Sequence, residues 1–366
     1  MLTYFSVEGY RNFADKLNWD FTDTRDYRFN SDALIKCGDS SLVKCAIVYG
    51  RNAMGKTNLG NAIFDIRSNF GLTDSVPDEK NYVNADLESG LVTFEYRFAF
   101  FDHKVSYSYA KRDRRSLAWE RIVLDGCAVF DYDHDSMRMR ENNLGLIGAS
   151  SLNWEFLGDN MSVVQYVCNN TPMGSLGPVG EMYRFVRNMG IISDAFGSNR
   201  KFVSMVAGRV IEAKKVPELE AFLRRFGVEE RLKIHQSPSG DDVLYFEHRR
   251  PVAFAENCSS GTIALLRLFN YAMTIHDTSL LFIDEFDAFY HHALSERVVE
   301  YLKELPGRQV ICASHNTDLF SNKILRPDCL FILSSSGITS AANATKRELR
   351  EGHNLEKLYK AGEFGG

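Results

Sequence analysis

The fold of this chain is decided by one short stretch, Gly50-Arg51-Asn52-Ala53-Met54-Gly55-Lys56-Thr57. It fits the phosphate-binding pattern G-x-x-x-x-G-K-[ST], the P-loop, at every fixed position. The apolar run 44–49 before it predicts a buried strand, and apolar residues at helical spacing over 57–67 predict a helix after it. In that context the backbone N–H groups of the loop and of the helix start bind phosphate oxygens. A chance match in a glycine-containing turn is the competing interpretation, and the flanking strand and helix disfavour it.

The P-loop motif gives roles to its polar side chains. Lys56 is expected to contact the β- and γ-phosphates of a nucleotide and to support catalysis, and Thr57 is expected to bind Mg²⁺. The residues expected to contact the nucleotide are those of the loop and the one after it: Gly50, Arg51, Asn52, Ala53, Met54, Gly55, Lys56, Thr57 and Asn58.

A pair of carboxylates follows a second apolar run much later in the chain. The run Leu280–Ile283 predicts a buried strand, and it ends at Asp284 and Glu285. The carboxyl end of a strand is where a doubly wound sheet presents its ligand site. We expect Asp284 to bind Mg²⁺ and Glu285 to act as the general base on the attacking water. Two solvated acids at a strand end are the alternative, which the P-loop upstream disfavours.

Further polar residues lie on either side of these carboxylates. Before them, Ser259-Ser260-Gly261-Thr262 precedes a predicted helix, where it can present N–H groups and hydroxyls to an anion or form an N-cap. After them, a strand predicted over 309–313 leads to His315, which could contact a γ-phosphate or be a structural histidine. Asp287 lies two residues beyond Glu285, where a subunit contact would sense the state of the site.

The composition is that of a soluble globular protein. The 366 residues are 45% hydrophobic and 25% charged, and the net charge of −5 excludes a basic nucleic-acid coat. Seven cysteines without a C-x-x-C pair argue against a disulfide framework or a zinc site and predict buried, reduced thiols. No apolar run reaches membrane-spanning length and the N-terminus lacks signal-peptide features, so we expect a cytoplasmic protein with no membrane partner.

The chain divides into three predicted parts. Residues 1–133 contain the P-loop and, over 91–133, β-rich runs that predict an antiparallel meander. Residues 134–231 are predicted to be a mostly helical insertion. Residues 232–366 start with a predicted hairpin that turns at 237–241 and continue as alternating strands and helices. Because such alternation implies a largely parallel sheet, the predicted fold class is α/β, with a parallel or mixed core sheet. The helices predicted in the insertion cover 181–189, 199–213 and 216–226.

The order of these motifs resembles that of the ABC-type P-loop NTPase heads. More closely, the chain resembles the AAA-type, OLD-like and SMC/RecF-like branch of ATPases in bacterial phage-defence and abortive-infection systems. Three other stretches carry this resemblance: the opening 7–13, the meander, and the tail 354–366. Residues 134–231 lie outside it.

The resemblance implies that two heads sandwich two ATP molecules, each held between the P-loop of one chain and Ser259, Ser260 and Gly261 of the other. ATP and Mg²⁺ would then drive formation of a dimer or higher homo-oligomer, and hydrolysis would loosen it. One feature departs from the family, which usually has a glutamine between the P-loop and the serine cluster. Gln165 and Gln236 lie there, but neither follows an obvious strand of the part of the chain that contains the P-loop, residues 1–133.

Three functions remain open at this point. The first is the sensor or scaffold ATPase of an anti-phage system with a separately encoded effector, since the stretch after His315 is too short for the nuclease domain of OLD proteins. The second is a RecF- or SMC-class repair ATPase that binds duplex DNA, which requires a basic surface. A transporter ATPase ranks last. The basic stretches available for DNA are 111–115, 249–250 and 346–350, each of which is alternatively a solvated turn or helix face.

Overall fold

The protein is described by a computed structural model that covers residues 1–38, 40–72, 81–158, 161–193, 200–237, 240–274, 278–288 and 290–365. Within these ranges, no helix is long and apolar enough to cross a membrane. The strands are β1 (Leu2–Glu8), β2 (Leu17–Asp20), β3 (Leu34–Cys37), β4 (Ser40–Val43), β5 (Cys45–Tyr49), β6 (Val92–Phe100), β7 (His103–Lys111), β8 (Leu117–Leu124), β9 (Cys127–Asp133), β10 (Arg138–Asn142), β11 (Gly190–Ile192), β12 (Leu232–Gln236), β13 (Asp242–Phe246), β14 (Val252–Ala253), β15 (Leu280–Ile283), β16 (Gln309–Ser314), β17 (Leu330–Ser334) and β18 (Gly337–Ser340).

Helices connect the strands and cover the sheets. They are α1 (Lys56–Phe64), α2 (Ile66–Asn69), α3 (Val163–Asn170), α4 (Gly177–Arg187), α5 (Arg200–Glu212), α6 (Val216–Arg225), α7 (Phe254–Asn257), α8 (Ser260–Thr274), α9 (His292–Glu304) and α10 (Leu355–Lys360).

The core sheet has six strands in the order β11-β15-β16-β5-β17-β18. Among the described residues, its first five strands are parallel and β18 pairs antiparallel. The five residues of β5 are all buried, as its continuous apolar run predicts for a central parallel strand. The predicted α/β class with a largely parallel core is therefore confirmed.

The second large sheet is the predicted meander. Seven strands in the order β10-β9-β8-β7-β6-β1-β2 pair antiparallel throughout. The β-rich runs predicted over 91–133 form β6 to β9, and β1, β2 and β10 complete the sheet. Buried and partly exposed residues alternate along β6, so one face of this sheet packs on the core.

The helix after the P-loop, α1, lies between the two sheets. On one side the Tyr96 hydroxyl donates to the Ala62 carbonyl at 2.7 Å. On the other, a Cβ added at Gly60 would lie 2.5 Å from the Phe282 ring of β15, so only glycine fits this close approach. The predicted helix over 57–67 is divided into α1 and α2 at Asp65. The Asp65 backbone stays helical, but its N–H bonds to the Ala62 carbonyl three residues back at 3.2 Å.

Two strands lie inside the stretch predicted as a helical insertion. β10 belongs to the meander and β11 to the core sheet, where it pairs in parallel with β15. Between and after them, α3 to α6 form as amphipathic helices, and three of these four were predicted. The division into 1–133, 134–231 and 232–366 stays a prediction, and these two strands show that the middle part is paired to both sheets.

Candidate nucleotide-binding site

The carboxyl ends of four parallel strands converge on one edge of the core sheet. β5 ends at the P-loop, β15 at the two carboxylates, β16 at His315, and β11 beside them. At this edge lies a cleft of about 770 Å³. The predicted site residues that line it are Asn52, Ala53, Gly55, Lys56, Thr57, Asn58, Asp284, Glu285, Asp287 and His315.

Lys56 is held at the base of this cleft. Its ammonium donates to the Gly50 carbonyl at 2.7 Å and to the Arg51 carbonyl at 3.4 Å. It also lies 3.0 Å from Nδ1 of His315. Burial lowers the pKa of Lys56, and the nearby carboxylates of Asp284 and Glu285 oppose that effect. The ammonium is therefore a desolvated positive charge whose hydrogen-bond partners, two backbone carbonyls and a histidine nitrogen, could be replaced by a phosphate.

Thr57 and Asp284 form the part of the cleft that fits a magnesium ion. The Thr57 hydroxyl donates to Oδ2 of Asp284 at 2.7 Å. The other carboxylate oxygen, Oδ1, is buried and has no hydrogen-bond partner among the residues that the structure describes. A buried carboxylate oxygen without a donor is strongly disfavoured unless a cation or water binds it. A hydroxyl and a carboxylate are also oxygen ligands of the kind that Mg²⁺ prefers.

Glu285 adopts a strained backbone conformation at the mouth of the cleft. Its φ of 47° lies in the left-handed region, which costs a non-glycine residue of the order of 1 kcal/mol. Backbone hydrogen bonds hold the residues on either side: Asp284 N to the Ile192 carbonyl at 2.8 Å, and Phe286 N to the Ala313 carbonyl at 3.2 Å. The side chain is exposed, so its carboxylate is accessible to water in the cleft.

The serine cluster lies apart from the cleft. Ser259 caps α8, accepting from the Thr262 N–H at 3.0 Å, while its hydroxyl lies 2.8 Å from that of Thr262. The N-cap role is therefore confirmed. Ser259 and Ser260 are exposed, and none of Ser259, Ser260, Gly261 and Thr262 lines the cleft of its own chain. Their predicted role in nucleotide binding stays a prediction that needs a second chain.

Two residues contact the P-loop without having been predicted as site residues. The Asn12 amide donates to the Met54 carbonyl at 3.0 Å and accepts from the Asn58 amide at 2.6 Å. The Arg11 guanidinium donates to Oδ1 of the Asn58 side chain at 2.7 Å. The only sequence signal was that both lie in the opening stretch 7–13, which the family resemblance included.

Neither candidate glutamine lies at the cleft. Gln165 is on α3, where its amide packs against Gly71, and Gln236 ends β12 in a separate three-stranded sheet. One of the strands that pair with β15 is β11, and neither glutamine follows it. Ser193 follows the last residue of β11 and therefore lies at the same edge of the sheet as Asp284. Residues 194–199 lie outside the described part of the chain.

The basic stretches weighed for DNA binding are partly neutralised. Lys111 is buried, with a side chain only 1% exposed, and forms an ion pair with Asp65 at 2.6 Å. Arg112 forms an ion pair with Asp135, and Arg350 forms one with Glu348 at 3.1 Å. The expectation that Lys111 belongs to an exposed polar turn is wrong, because the lysine ends strand β7 and faces α2.

Burial of the cysteines, which the sequence predicted, is observed for four of the seven residues. Cys45, Cys168, Cys312 and Cys329 are buried, and all seven cysteines are free. Burial raises the pKa of the Cys45 thiol to about 12. Within the described residues there is also no group of three or more metal-binding side chains of the histidine, cysteine and carboxylate types.

Comparison with solved structures gives weak overall similarity to SMC head domains. The SmcHead bound to the C-winged helix domain of ScpA has 12% identity and a TM-score of 0.48, with 98% of this chain and 99% of that chain covered. The SMC head domain from Thermotoga maritima has 15% identity and a TM-score of 0.48, with 93% and 98% covered. An Smc head domain with an extended coiled coil, bound to the C-terminal domain of ScpA derived from Pyrococcus furiosus, has 12% identity and a TM-score of 0.46, with 98% of each chain covered.

Comparison with sequences gives one family and no curated relative. No curated protein matches the chain. Residues 213–321 match the profile of a family described as "AAA domain, putative AbiEii toxin, Type IV TA system". This segment contains the serine cluster, Asp284, Glu285, Asp287 and His315, but not the P-loop. Over less than a third of its length, the chain is thus similar to an AAA-domain family.

Proposed function

We propose that the protein is an ATPase that binds ATP in the cleft between the P-loop and Asp284, and that it hydrolyses ATP there to ADP and phosphate. The observation that carries this proposal is the contact between Thr57 and Asp284, which joins the P-loop to the carboxylate motif. Around that contact, one cleft gathers a desolvated ammonium, an accessible carboxylate and a histidine. These are the groups that phosphoryl transfer to water requires.

Each group has a separate role in this proposal. The P-loop amides and Lys56 bind the phosphates, and Lys56 exchanges its contact with His315 for one with the γ-phosphate. Glu285 accepts the proton of the attacking water, and His315 contacts the γ-phosphate or that water. Thr57 and Asp284 would hold Mg²⁺, which neutralises charge on the phosphates.

The second part of the proposal is that one chain carries only half of each site. Ser259 and Ser260 are exposed at the start of α8, a helix of 15 residues whose N-terminus favours an anion. They do not line the cleft of their own chain, so they would meet the γ-phosphate bound by a second copy. ATP would therefore act as the link between two heads, and its hydrolysis would release them.

The cellular role that we propose is in bacterial anti-phage defence. The profile matched by residues 213–321 is described as a putative toxin of a type IV toxin–antitoxin system, which supports a defence setting over a repair one. The ATPase would act as sensor or scaffold for a separately encoded effector. Expression with the genomic neighbour should then protect cells from phage in a plaque assay, and protection by this gene alone would contradict the need for an effector.

Phosphate release from ATP by the purified protein tests the enzymatic proposal. We expect wild-type protein to release phosphate, and Lys56→Ala to lose both release and ATP binding in isothermal titration calorimetry. Lys104→Ala is a matched control, because this lysine is exposed on the meander. A folded Lys56→Ala variant that retains wild-type ATP affinity would overturn the assignment of the P-loop.

A further inference from the structure

We infer that Asn12 is a positioning residue for phosphate binding: its side-chain amide holds the Met54–Gly55 peptide so that the loop amides face the nucleotide. This inference rests on the proposed ATP site and names a residue that the P-loop pattern does not include. Asn12 does not itself line the cleft, so it acts through the loop rather than on the substrate.

The hydrogen bonds of Asn12 reach both ends of the loop's last turn. Its Nδ2 donates to the Met54 carbonyl at 3.0 Å, and its Oδ1 accepts from Nδ2 of Asn58 at 2.6 Å. One planar amide thus connects the residue before Gly55 to the first turn of α1. Because the C=O and N–H of a trans peptide point in opposite directions, holding the Met54 oxygen on the side of Asn12 directs the Gly55 N–H away from it. Gly55 itself lines the cleft.

The loop needs an external partner because its backbone is strained. Ala53 has a φ of 65° and Gly55 a φ of 94°, so two of three consecutive residues lie in the left-handed region. A non-glycine residue there persists only where its surroundings fix the conformation. Lys56 binds the loop carbonyls of Gly50 and Arg51 from within, and Asn12 binds that of Met54 from the other side.

Close packing at Gly55 is a second, independent sign of this contact. A Cβ added at Gly55 would clash with all three terminal atoms of the Asn12 side chain. The asparagine amide therefore occupies the space that a side chain at Gly55 would fill. Gly55 is therefore required both for the close approach of Asn12 and for its own positive φ.

A strap formed by residues 82–91 holds the Asn12 turn in place. The Arg11 N–H donates to the Tyr82 carbonyl at 3.1 Å, and the Asn84 N–H donates to the Gly9 carbonyl at 2.8 Å. The strap is in turn tied to the far end of α1, since the Tyr82 hydroxyl donates to Asp65 at 2.7 Å. The turn that carries Asn12 is thus fixed relative to both ends of the P-loop helix.

Asn12→Leu tests the inference, because leucine keeps the approximate volume and removes both hydrogen bonds. The matched control is Asn18→Leu on β2. Asn18 is also exposed, and it also bridges a side chain and a carbonyl, accepting from the Tyr4 hydroxyl at 2.5 Å and donating to the Lys16 carbonyl at 3.3 Å. Calorimetric titration with ADP and with ATP gives the affinities, and thermal unfolding and steady-state kinetics are measured on the same samples.

We expect Asn12→Leu to weaken ADP and ATP binding alike by about fivefold to tenfold, which corresponds to the net free energy contributed by one or two hydrogen bonds. Tm and kcat at saturating ATP should stay at wild-type values, and Asn18→Leu should change none of these. Asn12→Asp keeps the bond from Asn58 but places a carboxylate oxygen against the Met54 carbonyl oxygen, and because these two acceptors repel each other it should lose at least as much affinity.

The possible failures are distinguishable. If folded wild-type protein binds neither nucleotide, the proposed function is wrong. If wild-type protein binds but Asn12→Leu binds equally well, the inference is overturned. A fall in kcat alone would make Asn12 part of the chemical step instead. A lower Tm with unchanged affinity would show that Asn12 only stabilises the fold. Either of these two results contradicts the positioning role.

Discussion

The hydroxyl of Thr57 donates a hydrogen bond of 2.7 Å to the carboxylate of Asp284, across 227 positions of the sequence. Thr57 lies in the first turn of α1, which follows β5, and Asp284 is the residue after β15. In the core sheet, β5 and β15 lie on either side of β16. The parallel order of these strands is what brings a threonine and an aspartate from distant motifs to one point. The second oxygen of Asp284 remains buried without a donor in the described structure, which marks the point where a cation fits.

Asp284→Asn should therefore remove the magnesium dependence of nucleotide binding. The substitution keeps the shape of the side chain and removes its charge, so the amide no longer favours a divalent cation. We expect wild-type protein to bind ATP more tightly with Mg²⁺ than with EDTA, and Asp284→Asn to show no such difference and no hydrolysis. Calorimetric titration under both conditions measures this. A variant that keeps the wild-type difference would show that Asp284 is not a magnesium ligand.

Glu285→Gln should trap the ATP-bound assembly. The amide cannot accept a proton from the attacking water, while binding of ATP does not depend on its charge. Size-exclusion chromatography with light scattering should give a monomer without nucleotide and a dimer or larger species with ATP. The double variant Lys56→Ala, Glu285→Gln should remain monomeric under both conditions. A single variant that binds ATP but stays monomeric would contradict the two-headed site.

The buried ion pair behind α1 should be important for stability. Lys111 and Asp65 are 1% and 6% exposed, and Asp65 also accepts from Tyr109 at 2.8 Å. Removing one partner leaves a buried charge uncompensated, so Lys111→Met should lower the free energy of unfolding by about 3–5 kcal/mol. Guanidinium denaturation followed by circular dichroism measures it. Lys104→Met on the same strand is exposed and should change the value by no more than about 0.5 kcal/mol. Equal effects of the two substitutions would contradict this view of the pair.

The parts of the site that the sequence predicted are those with local signals. The P-loop has a strand before it and a helix after it, and each could be inferred within a window of about ten residues. The two carboxylates follow an apolar run in the same way. Parallel pairing of their strands, which alternation of strands and helices implied, then explains why the motifs meet at one edge.

The parts that the sequence did not predict depend on contacts between distant residues. Asn12 contacts Met54 and Asn58, which are 42 and 46 residues away. Its place in the stretch 7–13 of the family resemblance did not mark it as a partner of the loop. The burial of Lys111 also depends on a distant residue. Its charge predicts an exposed side chain, and only the fold places Asp65 opposite it. β11 is three residues long among helical patterns, too short for its own periodicity.

The serine cluster differs from these contacts within one chain, because its predicted partner belongs to another chain. Its capping of α8 could be read locally from Ser259 and Thr262. A role in binding ATP requires a second copy to present its cleft to Ser260. The claim that each site is shared between two chains is therefore the one that mutagenesis must test directly.

Complementation between two inactive variants is that test. Lys56→Ala removes the P-loop half of both sites in a dimer, and Ser260→Arg blocks the exposed half of both while leaving the P-loop able to bind ATP. Mixed dimers regain one intact site, so an equimolar mixture should release phosphate at up to about a quarter of the wild-type rate under random pairing. Each variant alone should be inactive. A mixture as inactive as its components, or full activity of Ser260→Arg alone, would contradict the shared site.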